Sequence, residues 1–167
     1  MGSRPGAWSE RTVRTRIVRS VIIRPAIPAE RSALEALQWR ASLANEGDRD
    51  ALLRHPDAID LPLEQIAAGG VFVLERDGAI LGFSAILARD DGDTELDALF
   101  VEPSIQRQGI GRKLIEHCAE TARSKGSSAL HVVGNSHAKQ FYLACGFNIV
   151  GTFETRFGLG LLMRKPL

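Results

Sequence analysis

The residues best suited to chemistry lie together in the run Gln106-Arg107-Gln108-Gly109-Ile110-Gly111-Arg112-Lys113. Glycines let a backbone approach a ligand closely and take up dihedral angles that other residues avoid. Leu114, Ile115, Cys118, Ala119 and Ala122 then recur at helical spacing, so a helix follows directly. The first-turn N–H groups of a helix have no partners within it and make a site for anions. Arg107, Arg112 and Lys113 add positive charge. The expected guest is a phosphate or pyrophosphate. Two familiar phosphate loops do not fit. A nucleotide-binding P-loop needs Gly, four residues and then Gly-Lys-Ser/Thr, which this chain lacks. A dinucleotide loop needs a third glycine, where this chain has Leu114, and an acidic residue about 20 positions on.

The loop must be held by a strand before it and a helix after it. Leu99-Phe100-Val101 is apolar and Pro103 ends the run, so residues 94–101 read as a strand. Residues 71–75 and 80–87 read as two more, joined by the hairpin signal Asp77-Gly78, and Asp90-Asp91-Gly92-Asp93 turns the chain again. The result is an antiparallel meander over residues 71–101. Upstream, residues 21–24 form a first strand. Pro28 opens a helix with Leu34, Leu37 and Ala41 on one face. A short helix over 48–54 and a helical turn over 63–68 follow. Downstream, the helix after the loop spans about 109–125 and is capped by Gly126. Residues 129–133 return as a strand, parallel to 94–101 because a helix connects the two. Ser136 is a plausible N-cap for the next helix, which Gly146 ends. Strands over 147–153 and 159–164 complete a single mixed α+β domain spanning 21–167. Residues 1–20 carry Arg4, Arg11, Arg14, Arg16 and Arg19 and read as a flexible basic extension.

Composition narrows the partners. A net charge of +1 and 6% aromatic residues argue against nucleic acid. The two cysteines make no disulfide framework and no metal cluster, which suits a reducing cytoplasm and no bound metal. No apolar run approaches the ~20 residues of a membrane span, so no membrane partner is expected. Cys118 lies on the apolar stripe and reads as core, and His55 as a surface or capping residue.

A second pattern stands one helix and one strand after the loop: Asn135-x-x-Ala138-x-x-Phe141-Tyr142-x-x-x-Gly146-Phe147. The loop resembles the Q/R-x-x-G-x-G/A segment of the GCN5-related N-acetyltransferases (GNAT), and this second pattern resembles their N-x-x-A-x-x-F-Y-x-x-x-G-F segment. The resemblance covers residues 21–165, specific in the two motifs and only in outline over 21–70. It implies a GNAT-like fold: a central mixed, mostly antiparallel sheet, a parallel pair splayed at the cofactor site, and helices on both faces. It also implies acetyl-coenzyme A as co-substrate. Gln106, Arg107, Gln108, Gly109, Ile110, Gly111 and Arg112 would hold its pyrophosphate. The pantetheine arm would lie along Leu99, Phe100 and Val101 like an added strand, with Asn135 hydrogen-bonding it and Phe141 beside it. A backbone N–H in that strand would face the thioester carbonyl and stabilise the charge that develops there.

An amine acceptor with pKa near ~10.4 must lose a proton before it attacks. A carboxylate on the strand entering the loop is the economical base. Glu95 and Asp97 lie there, two apart and so on one strand face. Glu95 stands where the histone-acetylating branch of the family carries its base, and Asp97 is the second choice. Tyr142 matches the family's usual acid for the departing thiolate. The implied function is transfer of acetyl to a primary amine of a small molecule or peptide, by direct attack in a ternary complex. The alternative is a non-catalytic acyl-coenzyme A sensor, against which Tyr142 and Glu95 argue. Acceptor selectivity belongs to residues 29–70, 152–160 and the loop after 80–87. The first of these is acid-rich (Asp48, Asp50, Asp57, Asp60, Glu64), which suits either a cationic acceptor or a solvated helical face. Relatives also pair through their C-terminal strands, and residues 153–163 are apolar enough for a homodimer.

Overall fold

A computed structural model describes residues 20–167; the basic extension, apart from Ser20, falls outside them. The strands are β1 (Val21–Pro25), β2 (Val71–Arg76), β3 (Ala79–Ala88), β4 (Thr94–Val101), β5 (Ala129–Gly134), β6 (Asn148–Thr155) and β7 (Gly158–Pro166). They form one sheet in the order β1-β2-β3-β4-β5-β7-β6. β1 to β4 are an antiparallel meander. Its first hairpin turns at Asp77 and Gly78, both with positive φ (52° and 80°), as a tight two-residue turn requires. β4 and β5 are parallel, and β7 lies antiparallel between β5 and β6. The sheet is thus mixed and mostly antiparallel, with one parallel pair.

Helices cover both faces. On one, α1 (Arg31–Ala44) and α3 (Leu63–Ala67) bring Leu34, Leu37 and Ile66 against Val71, Val73, Phe83 and Ala85. On the other, α4 (Ile110–Ser124) and α5 (Lys139–Ala144) bring Ile115, Cys118, Ala119 and Tyr142 against Phe72, Ile86, Leu96 and Leu130. α2 (Glu46–Arg54) connects α1 to α3. It begins before the expected residue 48 because the Asn45 side chain caps it, accepting from the Gly47 N–H at 3.2 Å. The cap expected at Ser136 falls instead on Asn135, whose carbonyl oxygen accepts from the Ala138 N–H at 2.8 Å.

Two irregularities in β4 shape the site. The register against β3 shifts between Ala85 and Ile86, leaving Asp97 as an extra residue. Side-chain alternation resets there: Leu96 faces α4, Ala98 and Phe100 face α1, and Leu99 and Val101 face α4 again. In addition, β4 is paired to β5 only at Thr94↔Leu130 and Glu95↔His131. From Leu96 onward no strand among the described residues lies beside β4 on the β5 side.

The closed end of this seam is fastened by side chains. One Asp93 oxygen accepts from the Ser128 N–H (2.9 Å), the Ser128 hydroxyl (2.9 Å) and the Ala129 N–H (3.0 Å). The other meets His131 Nε2 at 2.8 Å. These contacts hold the Asp93 carboxyl far below the usual carboxylate range, His131 first among them. The Thr94 and Ser127 hydroxyls add a buried bond of 2.8 Å. Asp91, which approaches the same corner, pairs with Arg89.

Candidate active site

The open end of the seam forms a passage through the sheet. On the α4 side is a pocket of about 460 Å³, lined by Leu99, Val101, Arg107, Gly109, Gly111, Arg112, Phe141 and Tyr142, among others. On the other is a cleft of about 1190 Å³, walled by α2, β4, the end of β5 and the β6–β7 hairpin. Leu99, Val101, Gln106, Arg107, Ala138 and Tyr142 line both, so the two meet at the splayed strands.

The glycine loop has the conformation its sequence suggested. Gly109 is the N-cap of α4 with φ 79°, left-handed backbone that favours glycine. Arg107 also has a positive φ of 65°. A Cβ on Gly111 would stand 3.0 Å from the Phe141 ring and 3.7 Å from Val101, so any larger residue would fill the space between loop and strand. Lys113 is the first residue after the cap to bond back into α4, to the Gly109 carbonyl at 3.1 Å, leaving the earlier N–H groups directed out of the helix. Arg107 pairs with no carboxylate among the described residues. A pyrophosphate fits this donor set. Arg112 lines the pocket but also donates to the Ala144 carbonyl at 2.9 Å, tying α4 to the end of α5. Gln108 lines neither cavity.

Tyr142 stands where pocket and cleft join. Its ring lies edge-on to Phe141 (5.3 Å) and Phe147 (5.4 Å), with Gly134 beside its Cδ2 and Cε2 atoms. No hydrogen bond joins its hydroxyl to any described residue. Burial, with lesser effects from Cys145 and Asp48, raises its pKa, so the phenol keeps its proton at neutral pH.

The carboxylates expected as bases separate. Glu95 is turned onto Arg89 (3.3 Å) and lines neither cavity, because it lies in the short stretch where β4 and β5 are still paired. Asp97, at the bulge, lies in the wall of the cleft and accepts from Gln65 Nε2 at 3.3 Å. The side chain of Asn135 is engaged at both ends: its oxygen caps the Ser136–Ala138 turn and its amide donates to Asp48 at 2.9 Å. Asp48, on α2, also accepts from Asn45 Nδ2 at 3.0 Å, and burial raises its pKa. Its presence beside the second motif was not legible in the sequence, where it reads as one acid among several.

Neither thiol is prepared as a nucleophile. Cys118 is fully buried, donates to the Ser84 hydroxyl at 3.2 Å and is pushed up to about 11 by burial. Cys145 is buried too and its pKa is likewise raised.

Comparison with known proteins agrees with this geometry. The sequence pattern of the acetyltransferase (GNAT) family matches residues 33–147. An uncharacterized N-acetyltransferase of Mycobacterium tuberculosis is 30% identical over 91 residues, covering 53% of this chain and 58% of that protein. This chain therefore spans little more than half the length of that relative. A 5-NmdU N-acetyltransferase of Pseudomonas phage PaMx11 is 25% identical over 146 residues, covering 87% of this chain and 98% of that protein. Among solved structures, the PaiA N-acetyltransferase of Thermoplasma acidophilum in complex with coenzyme A shares the fold, with TM-score 0.70, 19% identity, and coverage of 89% of this chain and 99% of that one.

Proposed function

This chain belongs to the acetyltransferase (GNAT) family, and from that premise we propose that it is an acyltransferase that uses acetyl-coenzyme A to acetylate a primary amine of a small molecule or peptide by direct attack in a ternary complex. The observation that carries this reading is the passage through the sheet, with a glycine-capped helix N-terminus on one side, a wide cleft on the other and one buried tyrosine at the junction.

When bound, acetyl-coenzyme A supplies an activated acetyl thioester and a thiolate leaving group. The chain's own residues bind and orient it. The N-terminus of α4, with Gly109, Gly111, Ile110 and the cations Arg107 and Arg112, receives the pyrophosphate. Gln106 lines the approach. The open edge of β4 at Leu99, Phe100 and Val101 offers backbone groups to the pantetheine amides. One of its N–H groups would face the reacting carbonyl oxygen, where a fixed donor is worth most. Tyr142 donates a proton to the departing sulfur. The absence of a prepared thiol supports one-step transfer over a covalent acyl-enzyme.

A homodimer belongs to the same reading, supported by the exposed apolar residues Ile149, Val150, Phe153 and Leu159 on the outer hairpin. Sedimentation velocity checks it. Location in the cytoplasm fits the two reduced cysteines; among the described residues, no helix is long and apolar enough to cross a membrane.

The test of the main reading is thiol release from acetyl-coenzyme A against amines, amino acids, polyamines, aminoglycosides and peptide N-termini, with calorimetric binding of acetyl-coenzyme A alongside. Release with one acceptor class, lost in Tyr142→Phe, is the expected result. Binding without release from any acceptor would leave the non-catalytic sensor instead.

A further inference from the structure

We propose that Asp48 is the carboxylate that receives the acceptor's ammonium group and takes its proton, so that acceptors are cationic amines with an apolar body; this rests on the transferase reading above.

Three placements point to Asp48, and the first of them excludes Glu95. Asp48 lies in the cleft wall with Asn135 and Tyr142, whereas Glu95 lies outside it against Arg89. Asp48 is held by two neutral amides, Asn135 Nδ2 at 2.9 Å and Asn45 Nδ2 at 3.0 Å. Amides orient a carboxylate without cancelling its charge, and no arginine or lysine among the described residues pairs with it. The third placement is Asn135 itself. Its oxygen fixes the turn leading into α5, which carries Tyr142, and its amide fixes Asp48. One side chain thereby sets the position of both the proton donor and the proton acceptor.

The surroundings match a cation. Glu46 and Asp97 share the wall with Asp48, and Ile59, Phe157 and Leu159 give it an apolar side. The titratable groups facing Asp48 from the neighbouring elements are His137, on the turn after β5, and Tyr142, on α5; Glu46 stands on its own helix. Half-burial makes Asp48 a stronger base than a solvated carboxylate.

The proton balance closes. The ammonium gives one proton to Asp48, which passes it to solvent. The freed nitrogen pair forms the C–N bond, and the C–S bond breaks with its electrons on sulfur. Sulfur takes the Tyr142 proton, and a second nitrogen proton restores the phenol. Ammonium and thioester become amide, thiol and one released proton.

The experiment measures thiol release with phenethylamine, spermidine and L-glutamate as probes between pH 6.5 and about 9.5, a range reaching toward amine pKa values. Wild type, Asp48→Asn, Glu95→Gln and Asp97→Asn are compared, with melting temperature and acetyl-coenzyme A affinity as controls. The expected result is turnover of at least one of the two cations, a loss of roughly 10²-fold in Asp48→Asn at pH 7, recovery as pH rises and the amine deprotonates unaided, and unchanged cofactor affinity. Should Asp48→Asn melt early, Asp48→Ser, which keeps a hydrogen-bond acceptor, takes its place. Full activity in the Asp48 variants, or loss in Glu95→Gln instead, would overturn the assignment while the transferase reading stands. Turnover of glutamate alone would do the same. Acetyl-coenzyme A binding without release from any probe would overturn the assignment, and failure to bind acetyl-coenzyme A would overturn both.

Discussion

At the scale of single residues, Tyr142 is the group we propose as the acid. A phenol shut in by Phe141, Phe147 and Gly134 cannot ionise easily, yet its hydroxyl is spent on no described neighbour. It therefore keeps a proton to give. Tyr142→Phe removes that proton and leaves the packing in place; turnover is expected to fall about 10²-fold, with acetyl-coenzyme A affinity unchanged by calorimetry. Gly111 is the opposite case, important for what it lacks. In Gly111→Val the new side chain would have to occupy space already claimed by the Phe141 ring and Val101. Acetyl-coenzyme A affinity is expected to fall at least tenfold, a change read directly by titration. Both residues were recognisable in the sequence because motif spacing records backbone geometry. Asp48 was not, because its partner Asn135 is 87 positions away in the chain.

At the scale of elements, the seam between β4 and β5 is fastened at one end and open at the other. Two registered residue pairs and the side chain of Asp93 hold the closed end. The bulge at Asp97 interrupts β4 just where the strands part. The folded state lowers the Asp93 pKa, so its contribution to stability is present above the unfolded value near ~3.9 and is lost as pH falls below it. Asp93→Asn is therefore expected to melt at a lower temperature than wild type at pH 7. The gap should narrow on acidification below about pH 4, where the unfolded chain takes up a proton at Asp93 that the folded protein does not. Thermal melts of both proteins across pH 2.5–7 check the direction, by the same carboxylate linkage; a gap that widens in acid would contradict it. The sequence showed the parallel pair through its connecting helix but gave no sign of the bulge. Ala98-Leu99-Phe100-Val101 is apolar at every position, so a reset of its alternation leaves no mark in the sequence.

At the scale of the whole molecule, a ligand in the passage would bridge the two halves of the sheet where they lack direct pairing. A ligand that binds only the folded state stabilises it by mass action, about 2.7 kcal/mol at 100 times its dissociation constant. For a domain of this size each kcal/mol moves the melting temperature by roughly 2–4 °C. Acetyl-coenzyme A at that concentration is thus expected to raise it by roughly 5–10 °C, measured by scanning fluorimetry. Desulfo-coenzyme A should give most of the shift, because the pyrophosphate and pantetheine contacts remain.

What the sequence determined by itself was local or periodic. The strand–loop–helix unit around Gly109, the meander over residues 71–101, the helical stripe of α4 and the second motif around Tyr142 all follow from spacing within short windows. A backbone turn or an amphipathic face needs only neighbouring residues to declare it. What the tertiary structure decided was non-local. It placed β7 between β5 and β6 and brought Asp48 from α2 to Asn135 at the end of β5. These juxtapositions depend on how sheet and helices close around one core, and no short window of the chain contains both partners.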